Sequence, residues 1–173
     1  MTLSRAVVSR ITQLGGSGAE FDGVSFAGPL IFADWADYAD EDVYAGLAAD
    51  PSRARELVRY PALDWDVVRF TPFAPRTPDH DEWGETIDDT AVAAASGISA
   101  PTVVLFGYSD GWPNHFFVLA EDPNPADPAV YTTDHEVYFR VVEHRGTLRD
   151  LLNEVLTPDE FDESVRAALR TVD

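Results

Sequence analysis

Residues 102–119 read Thr-Val-Val-Leu-Phe-Gly-Tyr-Ser-Asp-Gly-Trp-Pro-Asn-His-Phe-Phe-Val-Leu. Thr102 to Phe106 is a β-branched and apolar run, the pattern of a buried strand, and His115 to Leu119 is a second. Gly107 to Asn114 between them is dense in turn-forming residues. Two strands joined this closely pair antiparallel, because a parallel pair needs a crossover of a dozen residues or more. Working outward, Asp122 to Pro128 carries three prolines and forms a loop. Val130 to Thr133 and Val137 to Val142 read as further strands, which extends the pair into an antiparallel meander.

The end of the chain is helical. Thr147 caps one helix, with Asp150 three residues on and Leu148, Leu151, Leu152 and Val155 as its apolar stripe. Thr157-Pro158-Asp159-Glu160 opens another, with proline in the first turn and Phe161, Val165, Ala168 and Leu169 on the buried side. Upstream, Leu3, Ala6, Val7, Ile11 and Leu14 share a helical face that ends at Gly15-Gly16. Short strands are expected near Phe21 to Phe26 and Leu30 to Phe32. Asp40 caps a helix through Val43, Tyr44 and Leu47, and Asp50-Pro51 starts another. Trp65 to Phe70 reads as a strand, Asp79 to Asp89 as an exposed acidic loop, and Ala91 to Ala95 as a short helix closed by Gly97. Together these predict an α+β fold: one domain over 1–173, with a twisted, mostly antiparallel central sheet, flanking helices and two C-terminal helices.

Twelve basic residues, all arginine, stand against 31 acidic ones, for a net charge of −19. This charge disfavours nucleic acid, whose binding depends on phosphate neutralisation, and anionic membranes for the same reason. It favours a basic protein partner, whose encounter it accelerates. The absence of cysteine removes disulfides and thiolate chemistry and suits a reducing compartment. No apolar segment is long enough for a membrane span, and residues 1–14 lack a signal-peptide pattern. A cytoplasmic location is expected. The absence of lysine excludes the phosphate-binding loop motif. Neither 79–82 nor 134–136 has the histidine spacing of a helical zinc site, so no metal or cofactor is implied.

Gly107-Tyr108-Ser109-Asp110-Gly111 matches the G-x-S-x-G elbow of serine hydrolases, with Asp134, His135 and His144 downstream in the corresponding order. That elbow requires a helix directly after the second glycine. Trp112-Pro113-Asn114 and a strand pattern follow here instead. An esterase using Ser109 is therefore the alternative reading. The favoured one makes Gly107 and Ser109 part of a turn.

The stretch from Val103 to Leu156 resembles the SUKH superfamily. The resemblance lies in Phe106-Gly107-Tyr108-Ser109-Asp110-Gly111 leading to Phe116-Phe117-Val118-Leu119, in Pro128-Ala129-Val130-Tyr131-Thr132-Thr133-Asp134-His135-Glu136, and in Thr147 followed by the leucine stripe. The N-terminal half departs from the family pattern and has no Asn-Gly turn. The resemblance implies a non-enzymatic binding protein. In bacteria it is typically an immunity protein that covers the active site of a cognate nuclease- or deaminase-type toxin. Eukaryotic relatives imply a regulatory scaffold as a further alternative. The candidate partner-binding residues are Asp110, Trp112, Asn114, Tyr131, Asp134 and His135. The acidic arrays that include Asp34, Asp37, Asp40, Asp79 and Glu82 would supply a steering field.

Overall fold

The computed structural model describes residues 1–60, 62–70, 76–83, 85, 89–99, 101–109, 114–134, 136–137 and 139–171. Their strands are β1 (Leu30–Ile31), β2 (Ala62–Arg69), β3 (Val103–Ser109), β4 (His115–Leu119), β5 (Ala129–Thr133) and β6 (Glu143–Thr147). They form one sheet in chain order, every neighbour antiparallel. The helices are α1 (Arg5–Gln13), α2 (Glu41–Ala49), α3 (Ala54–Leu57), α4 (Pro78–Trp83), α5 (Asp89–Ser96), α6 (Leu148–Asn153) and α7 (Pro158–Thr171). The fold is α+β, with the sheet flanked by helices and α6 and α7 at its C-terminal end.

Both faces of the sheet are buried. One carries Leu63, Val104, Phe106, Phe116, Val118 and Val130, packed on Val7 and Ile11 of α1 and on Leu148, Leu151 and Leu152 of α6. The other carries Val103, Phe117, Leu119 and Tyr131 under Val92 and Phe139. Beside them, α2, α3 and α7 bury Trp35, Leu47, Val58, Phe161 and Val165 against Ile31 and Ala62. A fully buried aliphatic or aromatic side chain contributes about 1.5–3 kcal/mol relative to exposure, so these clusters, rather than surface pairs, hold the sheet.

Local signals act where expected. Thr147 and Asp150 form a complete capping box, and the Thr157 N–H donates to Glu160 at 2.8 Å. Asp40 accepts from the Val43 N–H. Gly15, at φ +81°, terminates α1 in the left-handed region, where a side chain would be strained.

Several expectations are corrected. Residues 21–23 form a single 3-10 turn, and only an isolated bridge, Ser17 to Ser25, is extended there. The second strand starts at Ala62, not Trp65. Pro78 to Trp83 is helical, because proline fits the first turn of a helix and Trp83 packs edge-on against Phe70. The described residues of 137–142 are turns and bends. The strand follows at Glu143 to Thr147, because Phe139 takes φ +55° to bury its ring against Phe117.

The chain after α6 determines the overall curvature. Phe32 bridges to Val155, the Ala33 N–H donates to the Glu154 carbonyl at 2.9 Å, and the Leu156 N–H donates to the Ile31 carbonyl at 2.9 Å. The first strand is thereby bonded to the segment that lies just beyond the last one. The sheet curls, and a gap is left between the outer edge of β6 and residues 154–156.

Candidate functional site

That gap is a groove. Phe32, Ala33, Asp34, Tyr38, Asn114, Phe116, Thr132, Glu143, Arg145 and Glu154 line a cavity of about 560 Å³, within the roughly 300–1,000 Å³ of small-ligand sites. Its floor is aromatic: Phe32 and Phe116 are buried, with ring centroids 6.4 Å apart and planes 33° apart. Its rim is acidic. Asp34 comes from the loop after β1, Glu143 from the start of β6, and Glu154 from the end of α6. Arg145, the one cation of the lining, reaches across the gap to Glu154 at 2.7 Å. Among the described residues Asp34 and Glu143 carry no ion pair.

A smaller cavity of about 320 Å³ adjoins the groove, sharing Asn114, Thr132 and Glu143 and adding Thr133, Asp134, Val137 and Val141. Val137 and Val141 are 37% and 50% exposed. Their loop is pinned from beneath. Phe139 is buried, and its N–H donates to the Thr133 hydroxyl at 2.7 Å. A left-handed phenylalanine is costly backbone, and such strain concentrates at functional segments.

Of the candidate partner-binding residues, Asn114 and Asp134 line these cavities. Asp134 also accepts from the Glu136 N–H at 2.7 Å. Tyr131 is corrected: it is 6% exposed and stacked on Phe117, so it is a core residue. Burial raises its hydroxyl pKa above the ordinary range, and the Asp122 carboxylate adds to the effect. Asp110, Trp112 and His135 lie outside the described residues. Of the acidic arrays, Asp34 reaches the groove. Sequence reasoning missed Glu143, Arg145 and Glu154 as a group, because only the curl of the sheet assembles them.

The described residues of the hydrolase-like motif, 107–109, are not the turn expected of them. Gly107 and Ser109 belong to β3, not to a turn. Ser109 is 6% exposed, and its N–H donates to the Asn114 carbonyl at 3.1 Å, closing the hairpin onto β4. Gly107 has no left-handed backbone. A Cβ there would meet Leu63 Cδ1 at 2.5 Å and the Asp64 carbonyl oxygen at 3.0 Å, so glycine is needed for the close approach of β2. Cross-strand partners share a face. Ser109 pairs with Leu63, on the α1 side, and His144 pairs with Tyr131, on the opposite side.

Among the described residues, no group of three or more His, Asp or Glu side chains is placed to hold a metal. No helix is long and apolar enough to cross a membrane. Comparison with protein-family models, curated proteins and solved structures finds no match, so the functional reading rests on this site and on the chain's charge.

Proposed function

We propose that this chain is a non-catalytic, acidic protein-binding module of the SUKH kind, an immunity protein that docks a basic toxin domain and covers its active site. The single observation that carries the reading is the groove: a concave surface with an aromatic floor and three rim carboxylates, beside a loop that presents two exposed valines. Nuclease-type active sites are basic because they bind phosphate, and a carboxylate-rimmed surface mimics that ligand. The net charge of −19 would speed encounter over a screening length of about 8–10 Å at moderate salt. The phenylalanines and valines would supply the desolvated contact that slows dissociation. The meander followed by two capped helices also supports the SUKH resemblance.

The test is titration calorimetry with a purified basic toxin domain of the nuclease or deaminase type from the same organism. The double reversal Asp34→Arg with Glu143→Arg is expected to weaken binding at least 100-fold, since truncating one partner of a buried interfacial charge pair costs about 2–5 kcal/mol and reversal costs more. Binding indifferent to the reversal overturns the reading.

A further inference from the structure

We infer that the groove is a guanidinium-recognition site whose resident occupant is the chain's own Arg145, displaced when an arginine side chain of the partner enters. This inference rests on the docking reading above and specifies what the groove recognises.

Three observations carry it. First, a guanidinium already sits there. Arg145 holds Glu154 at 2.7 Å from the facing wall, and the two side chains are 48% and 42% exposed. An exposed pair of this kind is weak and exchangeable. Second, the lining has two more carboxylates than cations, and Asp34 and Glu143 are left without an ion pair among the described residues. Third, the floor suits a flat cation. A guanidinium stacks on aromatic faces such as those of Phe32 and Phe116, whereas a strongly hydrated ammonium gains less from desolvation there.

The edge strand beside the groove argues for entry by side chains and not by an added strand. Arg145 occupies a bulge of β6 between the Tyr131–His144 and Val130–Gly146 pairs, and Gly146 takes φ +103°. Bulged, twisted edges resist further strand pairing. The bulge also supplies the extra residue that turns Arg145 into the groove.

The probe is a labelled hexapeptide of alternating arginine and glycine, with its lysine counterpart, followed by fluorescence anisotropy at low salt. The wild type is expected to bind the arginine peptide weakly. Arg145→Ala is expected to bind it about fivefold more tightly, equivalent to releasing one exposed ion pair, with a smaller gain for the lysine peptide. Arg145→Lys, which retains the charge, should fall between them. Glu154→Gln should lose binding in both backgrounds. An Arg145→Ala affinity equal to or below wild type, equal gains for the two peptides, or no binding of the arginine peptide to any variant overturns the inference. If toxin binding is still abolished by reversing Asp34 and Glu143, those outcomes leave the docking reading intact. Only indifference of the toxin to that reversal removes both.

Discussion

The Arg10 guanidinium donates from Nη2 to the Val155 carbonyl at 2.6 Å, across 145 positions of the chain. Its Nε donates to the Leu152 carbonyl at 3.0 Å. One α1 side chain therefore satisfies carbonyls at the end of α6 and fixes the wall that bears Glu154. Arg10→Met keeps the apolar stem and removes both bonds. Hydrogen bonds from a charged donor contribute about 1.5–3 kcal/mol, so urea unfolding should show a loss of that order. Arg10→Lys, a single point donor without the planar fork, should recover only part of it. A variant as stable as wild type would show that these carbonyls are equally well served by water.

Gly107→Ala should destabilise by about 1–3 kcal/mol, because overpacking against Leu63 forces the β2–β3 pair apart. Ser109→Ala is the matched control for the hydrolase-like motif. Hydrolysis of a p-nitrophenyl ester by wild type and by Ser109→Ala should be the same and near background. Turnover by wild type alone would replace the binding reading with an enzymatic one.

Acid should loosen the C-terminal helices through their caps. Asp150 is held below its ordinary pKa by hydrogen bonds from the Thr147 backbone and hydroxyl, and Glu160 likewise by Thr157. A carboxyl whose folded pKa is depressed binds protons more weakly when folded. Its contribution is therefore full above the ordinary carboxylate pKa and disappears as pH falls through the folded value. Asp150→Asn should melt below wild type at neutral pH, and the two melting curves should converge as pH drops below the ordinary carboxylate range. A constant difference across that range would mean that the cap does not titrate with folding.

How much of this was legible before the coordinates depends on whether the information was local. Thr147 with Asp150, Thr157 with Glu160, and Asp40 with Val43 are contacts within one turn, so their residue types announce them. The pairing of the two apolar runs in 102–119 was equally plain, although β3 runs on through Gly107 to Ser109, which the turn-rich composition of that stretch concealed. Val137 to Val142 misled, because its apolar density imitates a strand. Phe139 instead drives inward onto Phe117, a tertiary contact that overrides local preference. The true strand, Glu143 to Thr147, is polar because it is a sheet edge, and it lacks the alternation that marks half-buried strands. The groove was the least legible feature. Asp34 is far in sequence from Glu143 and Glu154, and its proximity to them depends on the bridge between Phe32 and Val155. Asn114 and Asp134 were anticipated as polar residues beside turns, and Asp34 only as part of an acidic array.

That bridge also orders the events of biosynthesis. Strands β3 to β6 are neighbours in sequence and in space, so each can zip onto the last as it leaves the ribosome, with little loop entropy to overcome. The seam between residues 32 and 155 has no such head start. It must wait until residue 155 has been made, and until then β1 has no partner on its outer side. A chain that stops short of residue 154 could still pair β3 to β6 but would lack the Glu154 wall of the groove.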